Sequence, residues 1–217
     1  MADASVQGSI CSGPIDENRS PDPATMRIGG FVPFTSIDYP GELAAVVFCQ
    51  GCPWRCSYCH NPHLLDARST ELLDWQALLE VLSLRKGLLD AVVFSGGEPT
   101  LQDALPGAIT EVKKMGFKVG LHTGGCYPDR LEQLLPLIDW VGLDIKDLPE
   151  HYPALTGTPG SGERAWKSLE LLQASGVPFE VRTTCYPELP AARLEQLTSR
   201  LEGLGIVHHN LQEYRPV

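Results

Sequence analysis

The strongest constraint on the fold is a regular alternation between short apolar runs and amphipathic stretches of helical period. Residues 43–49 (LAAVVFC) are apolar throughout, as expected for a strand that is buried on both faces. In the next stretch, 71–87, apolar residues recur at i, i+3, i+4 and i+7. They are Trp75, Leu78, Leu79 and Leu82. This spacing marks one face of a helix, so the first repeat is a strand followed by a helix.

The same unit recurs down the chain. Further strands are predicted at 91–97, 118–125, 140–146, 178–184 and 206–215, and further helices at 104–115, 129–137, 162–175 and 191–204. Residues 147–161 show no clear period and are expected to form a long loop near the site. Strands that alternate with helices favour a parallel sheet with right-handed crossovers. An eight-stranded barrel typically needs about 250 residues. The sequence therefore predicts an α/β fold, a partial, open TIM-type barrel of about six β/α units.

Composition and charge narrow the function class. Residues 1–25 are polar and rich in Pro, Ser and Asp, and they lack the charged start and apolar middle of a signal peptide. We predict a disordered tail over 1–25 and one domain over 26–217, in the cytoplasm. The net charge of −10, without a run of Lys or Arg, argues against a nucleic-acid partner. No stretch approaches the roughly 18 apolar residues of a membrane span.

Unusual polar segments follow each predicted strand. In chain order they are CQGCPWRCSYCHNP, SGGEP, HTGG, DIK, RTT and QEYR. The carboxyl ends of the strands form the active face of α/β barrels. Six separate signals therefore converge on one mouth, which predicts an enzyme.

Four of the seven cysteines fall within the eleven residues 49–59. A disulfide knot is disfavoured in a chain with an odd cysteine count and no export signal. Zinc sites usually pair two thiols with two more ligands a dozen or more residues away, and a dithiol redox centre would leave two thiols surplus. An iron–sulfur cluster suits the compact loop best. Cys49 closes an apolar strand and is interpreted as structural. Cys52, Cys56 and Cys59 then leave one iron of a four-iron cluster open.

The cysteine loop and the segment after the second strand resemble known sequence motifs. The segment 52–59 (CPWRCSYC) resembles the radical S-adenosylmethionine (SAM) motif, and 95–99 (SGGEP) resembles the GGE motif of the same superfamily. The segments DYPG (38–41), FCQGC and CHNP (59–62) resemble glycyl-radical-enzyme activating enzymes, above all the activating proteins of anaerobic ribonucleoside-triphosphate reductase. The likeness covers about 27–217.

The resemblance implies a [4Fe–4S] cluster whose open iron binds the amino and carboxylate groups of SAM. One electron then splits SAM into methionine and a 5′-deoxyadenosyl radical, which takes a hydrogen atom from a backbone glycine of a partner enzyme. The expected partners are a glycyl radical enzyme, most closely the anaerobic reductase, and a low-potential flavodoxin or ferredoxin as electron donor.

The resemblance also assigns roles at the first two strand ends. Gly96 and Gly97 would let the backbone approach the methionine of SAM. Glu98 would accept its ammonium group. Tyr58 would lie against the adenine.

Later strand ends carry the remaining cofactor-binding candidates. Asp144 and Lys146 match a family position near the ribose and carboxylate of SAM. Arg182 is expected to reach the SAM carboxylate, and Thr123 is a further candidate contact.

The sequence departs from some relatives in the HTGG loop. His122 and Gly124 replace an acidic residue and an Asn, which puts a bound monovalent cation in doubt. Cys126 and Cys185 are interpreted as structural. Three alternatives stay open: activation of a pyruvate formate-lyase type enzyme, a small-molecule radical SAM enzyme such as a 7-carboxy-7-deazaguanine synthase, and a non-enzymatic metal-stabilised binding module.

Overall fold

The structure, a computed structural model, describes residues 21–216. Its strands are β1 (Ile28–Thr35), β2 (Ala44–Cys49), β3 (Ala91–Gly96), β4 (Lys118–Thr123), β5 (Trp140–Asp144), β6 (Phe179–Cys185) and β7 (His209–Glu213). Its α-helices are α1 (Trp75–Ser83), α2 (Leu105–Lys114), α3 (Pro128–Leu134), α4 (Tyr152–Thr156), α5 (Ser161–Ser175) and α6 (Ala191–Gly203). Short 3-10 turns lie at 23–25, 62–64, 99–101, 135–137 and 149–151.

One sheet contains all seven described strands in the order β1 to β7. Strands β2 to β7 are parallel, and each pairs with its neighbour in sequence. The described strands β1 and β7 are not paired with one another, so the sheet curves without closing. The partial, open barrel with six parallel strands is thereby confirmed.

Two elements escaped the sequence pattern. Strand β1 pairs antiparallel with β2, but its sequence contains Gly29, Gly30 and Pro33, which weaken a strand signal. Helix α4 lies inside the segment predicted as a loop, and the prediction was wrong there. With five residues, α4 is too short to show a helical period, and it is terminated by Gly157, whose φ is 67°.

The predicted tail lies mostly outside the described residues, which begin at 21. Its last residues form a 3-10 turn, Pro23–Thr25, capped by the side chain of Asp22. The turn rests on α2, where a Cβ at Gly107 would lie 2.9 Å from the ring of Pro23. Residues 23–25 therefore pack against the domain predicted for 26–217, and the extent of the tail stays a prediction.

The core has two layers. The larger layer lies between the outer face of the sheet and the helices. The smaller layer fills the barrel and contains Tyr39, which enters from the β1–β2 loop and stacks on Trp140 at 5.0 Å between ring centroids. A Cβ at Gly120 would lie 3.0 Å from the Tyr39 ring. The DYPG segment thus plugs the barrel at the amino ends of its parallel strands.

The described residues include no helix of the length and apolar character that a bilayer crossing requires.

Candidate active site

A cavity of about 150 Å³ lies at the carboxyl ends of the parallel strands. Nine predicted site residues line it: Cys52, Cys56, Tyr58, Cys59, Gly96, Gly97, Glu98, Asp144 and Lys146. Eight further residues complete the lining: Trp54, His60, Asn61, Leu65, Gly124, Cys126, Thr184 and Gln212. Two predicted residues, Thr123 and Arg182, lie outside the lining. The six strand-end segments therefore do converge, but they contribute in different ways.

The thiol loop is held by backbone hydrogen bonds to helix α4. The amide of Arg55 donates to the carbonyl of Thr156 at 2.8 Å, and the amide of Ser57 donates to that of Leu155 at 3.2 Å. At the other end of the loop, the amide of Gly51 donates to the carbonyl of Leu64 at 2.7 Å. The helix that the sequence pattern missed is therefore part of the scaffold of the cysteine loop.

The three predicted ligands are free, half-buried thiols. Burial, with a smaller contribution from the carboxylate of Glu98, raises the pKa of Cys52 to about 12. Burial also raises the pKa of Cys56. Thiols bind iron as thiolates, so a metal that binds here displaces their protons.

The donor set suits a cluster better than a single ion. Among residues 21–216, no group of three or more Cys, His, Asp or Glu side chains lies close enough together to hold one metal ion. A zinc ion would need its sulfur ligands at about 2.3 Å. A cubane cluster presents a separate iron to each thiolate, so its ligands lie further apart. Three thiols that line one cavity without converging on a point fit the predicted [4Fe–4S] group.

The two glycines after β3 are required by close packing of backbone on backbone. Gly96 has φ of 109°, and a Cβ there would lie 2.5 Å from the amide nitrogen of Cys49. A Cβ at Gly97 would lie 2.3 Å from the carbonyl oxygen of Gly51. In this structure the space that glycine leaves is filled by the start of the thiol loop, and the outer side of both glycines faces the cavity. The role predicted for them toward methionine stays a prediction.

Glu98 is 1% exposed and fixed by four hydrogen bonds. Its Oε1 accepts from the amide and hydroxyl of Thr100, at 3.1 and 2.6 Å, and from the Thr123 hydroxyl at 2.7 Å. Its Oε2 accepts from the amide of Gly124 at 3.0 Å. The Thr123 hydroxyl also accepts from the Gly125 amide at 3.0 Å. The Thr123 hydroxyl therefore contacts the Glu98 carboxylate and orients it, and Thr123 itself does not line the cavity.

Asp144 and Lys146 form an ion pair at the end of β5. The Lys146 Nζ lies 3.5 Å from the Asp144 Oδ2 and 5.7 Å from the centre of the Tyr58 ring. The backbone amide of Lys146 donates to the Tyr152 hydroxyl at 2.8 Å. Burial opposes ionisation of Asp144, but the charges of Lys146 and Arg182 outweigh it and lower the pKa of that carboxyl. Asp144 thus presents a carboxylate at the cavity wall.

Arg182 lies inside the barrel, below the cavity. Its Nε is 3.5 Å from Glu180 Oε1 and 3.8 Å from Asp144 Oδ1, and its guanidinium lies 5.7 Å from the centre of the Trp140 ring. A Cβ at Gly142 would overlap the guanidinium, so that glycine makes the room for it. The contact predicted between Arg182 and the SAM carboxylate stays a prediction, and the contact seen is with Asp144.

His122 connects the plug of the barrel to the GGE loop. Its Nε2 donates to the carbonyl of Asp38 at 2.7 Å, and its Nδ1 lies 3.2 Å from the Ser95 hydroxyl. Burial, followed by the charge of Arg182, lowers the pKa of His122 to about 3. The ring is therefore neutral at ordinary pH, with Nε2 protonated and Nδ1 accepting from Ser95. Sequence reasoning had treated His122 only as a departure from relatives.

Aromatic side chains close one side of the cavity. Tyr58 is 7% exposed, and its ring stacks on Tyr186 at 4.7 Å between centroids. Tyr186 is fixed by its hydroxyl, which donates to the Asp147 carboxylate at 2.9 Å. The Tyr58 hydroxyl and the Trp54 indole nitrogen are buried without a hydrogen-bond partner among the described residues. One face of the Tyr58 ring is thus covered by Tyr186. The predicted contact with adenine stays a prediction, and it would have to use the ring surface that Tyr186 leaves uncovered.

None of the eight further lining residues had been predicted as a site residue, and four of them are instructive. Trp54 lies between the first two ligand cysteines, and Cys126, which had been interpreted as structural, is buried yet lines the cavity. Thr184 and Gln212 fall in the RTT and QEYR segments, so the position of those segments at strand ends was the available signal. The other two cysteines interpreted as structural, Cys49 and Cys185, are outside the lining.

The chain resembles known proteins over most of its length. Residues 46–201 match the model of the Radical SAM superfamily. A protein of Methanocaldococcus jannaschii, provisionally named a glycyl-radical enzyme activating enzyme, is 33% identical over 197 residues, covering 87% of this chain and 80% of that protein. The pyruvate formate-lyase-activating enzyme of Clostridium pasteurianum is 34% identical over 160 residues, covering 70% of this chain and 66% of that enzyme.

Solved structures give the same fold at low identity. Streptococcus suis SuiB bound to S-adenosylmethionine superimposes with a TM-score of 0.62 and 17% identity. The match covers 77% of this chain, which spans about two fifths of the SuiB chain (39%).

Proposed function

Because the chain belongs to the radical SAM superfamily and, within it, to the glycyl-radical-enzyme activating enzymes, we propose that it generates the glycyl radical of an anaerobic ribonucleoside-triphosphate reductase. Enzymes of the superfamily use a [4Fe–4S] cluster and SAM. The observation that carries the proposal is the meeting of three free thiols and the GGE loop, with its fixed Glu98 carboxylate, in one cavity. The choice of the reductase rests on the DYPG, FCQGC and CHNP segments.

In this proposal Cys52, Cys56 and Cys59 would hold the cluster, and its fourth iron would have no protein ligand. When bound, the cluster and SAM supply one-electron chemistry that is able to remove a hydrogen atom from a glycine. The protein supplies placement and exclusion of water.

The fixed carboxylate of Glu98 is proposed to receive the ammonium group of SAM. Four hydrogen bonds already orient it, so little reorganisation is needed when a cation binds. At the end of β5, the Asp144–Lys146 pair is proposed to offer one acceptor and one donor to the ribose and carboxylate of SAM. Arg182 holds Asp144 from below.

Tyr58 and Trp54 line the cavity with the thiols and are proposed to shield them from water. Both are almost fully buried, and each carries a polar atom without a partner among the described residues. The electron is proposed to come from a low-potential flavodoxin or ferredoxin. The cytoplasmic location belongs to the same proposal, because thiols that bind a cluster need a reducing compartment.

A second candidate partner is pyruvate formate-lyase, which the name of the C. pasteurianum relative favours. The two partners are separated by a direct assay. The protein is reconstituted anaerobically with iron and sulfide, reduced, mixed with SAM, and incubated with either the anaerobic reductase or pyruvate formate-lyase from the same genome. Electron paramagnetic resonance (EPR) then records a glycyl radical.

We expect the radical doublet on the reductase and a reduced-cluster signal that shifts when SAM is added. A radical on pyruvate formate-lyase alone would replace the proposed partner by the second candidate. Formation of 5′-deoxyadenosine without a radical on either protein would point to a small-molecule substrate. A colourless zinc protein without a cluster signal would contradict the proposal as a whole.

A further inference from the structure

The two edges of the open sheet differ in how they are protected. Natural sheets blunt exposed edges with proline, lysine or bulges, because free amides and carbonyls invite another strand. Strand β1 contains Pro33, and its pairing with β2 shows two register shifts, after Ile28 and after Val32. Strand β7 (HNLQE) contains neither proline nor lysine, and it pairs with β6 in unbroken register. Of the two described edges, that of β7 is therefore the better suited to receive a further strand.

The register shows which backbone groups of β7 face outward. The amide of Val181 donates to the carbonyl of His208 at 2.8 Å, and Val181 pairs with His209. In a parallel ladder, the backbone groups of alternate residues point to the same neighbour. Residues 208, 210 and 212 therefore face β6. The amide and carbonyl of Leu211 point away from the sheet, as do those of Glu213, and four of the five β7 residues are exposed.

This edge leads directly to the cavity. The side chain of Gln212 faces the barrel interior beside its register partner Thr184, and both line the cavity. Each carries a neutral polar group, an amide or a hydroxyl, which suits a peptide backbone rather than a charged ligand. Across the open side of the barrel, Val32 and Phe34 on β1 are exposed apolar side chains.

We propose that the outer edge of β7 receives an extended, glycine-bearing segment of the partner protein as an eighth strand, which delivers the glycine past Thr184 and Gln212 to the cavity. Main-chain hydrogen bonds provide the affinity in this mode of recognition, and little depends on the side chains of the segment. A segment recognised through its main chain needs no particular side chain at the reacting residue, and glycine has none. This inference rests on the proposed function, because it assigns the docking route of that partner.

The test compares two substitutions at one exposed position. Leu211→Pro removes the outward amide without touching the ladder to β6, since proline is tolerated on edge strands. Leu211→Ala is the matched control, because it shortens the same side chain and keeps both backbone groups. Iron content and the unfolding temperature report whether each variant keeps its fold. Binding of the complete anaerobic reductase to reconstituted protein with SAM is measured by anaerobic anisotropy titration.

We expect Leu211→Pro to weaken binding of the reductase about tenfold and Leu211→Ala to change it less than about twofold. Hydrogen exchange on the unmodified protein tests the same point without a substitution. The amides of Leu211 and Glu213 are expected to exchange freely in the protein alone and to become protected in the complex.

Three outcomes would overturn the inference. A radical on the reductase with equal binding by both variants and no protection of the β7 amides would reject the edge and leave the proposed function intact. Protection of these amides before the partner is added would show that a second copy of the chain, or another part of it, occupies the edge. Absence of any radical on the reductase would reject the proposed function, and the docking route with it.

Discussion

Replacing Thr123 with valine keeps the shape of a buried side chain and removes only its hydroxyl. That hydroxyl donates to the Glu98 carboxylate at 2.7 Å and accepts from the Gly125 amide at 3.0 Å. A hydrogen bond to a charged group contributes about 1.5–3 kcal/mol, and a buried amide left without a partner costs about 1–3 kcal/mol. Since Glu98 keeps its other donors, we expect the free energy of unfolding to fall by about 2–4 kcal/mol. For a domain of this size, that corresponds to a loss of roughly 4–16 °C in unfolding temperature.

Thermal and urea unfolding of the metal-free protein measure this effect, and calorimetric titration of the reconstituted protein measures its affinity for SAM. We expect Thr123→Val to weaken SAM binding as well, because the carboxylate loses one of the bonds that orient it. Thr123→Ser retains the hydroxyl and should recover most of both quantities. Thr110→Val is the matched control, since the Thr110 hydroxyl bonds only to the carbonyl of Pro106 on the exposed face of α2. It should change stability by less than about 0.5 kcal/mol.

Stability of Thr123→Val equal to that of the Thr110 control would refute the role of Thr123 in holding Glu98. Lower stability with unchanged affinity for SAM would refute a different point, namely the contact proposed between Glu98 and the cofactor.

The remaining predictions concern the cysteine ligands, the packing of the barrel interior and the protonation of His122. The Cys59→Ala variant should bind much less iron than the unmodified protein after reconstitution. The control variant Cys185→Ala, whose residue lies outside the cavity lining, should retain its iron. Iron analysis and visible absorption measure the iron content, and equal iron in both variants would contradict the proposed ligands. Tyr39→Ala should cost about 3–5 kcal/mol in urea unfolding, because it empties the plug that stacks on Trp140. The pKa of His122 is about 3 in the fold and about 6.5 when unfolded, so stability should be lost as pH falls through that window, by at most about 1.4 kcal/mol per unit. His122→Gln should flatten this dependence and the exposed His63→Gln should not; equal slopes would argue against a neutral buried ring.

The sequence alone determined the repeating architecture and the composition of the mouth. Apolar runs and helical periods are local patterns, and an unbroken series of six strand signals leaves few arrangements besides a parallel, partly closed barrel. The cysteine spacing and the SGGEP segment are equally local. Their meeting followed from one rule, that the carboxyl ends of parallel strands share a face.

Tertiary structure alone decided what each polar residue touches. Thr123 and Arg182 stand in strand-end segments like the lining residues, but one turns to Glu98 and the other lies below Asp144. Strand β1 and helix α4 are stabilised by long-range pairing and by contact with the thiol loop, not by propensity. The function of DYPG as a plug depends on Gly120, which lies 81 positions after Tyr39 in the chain. Contacts of this kind join residues that are distant in sequence, and local patterns carry no information about which side chain fills which space.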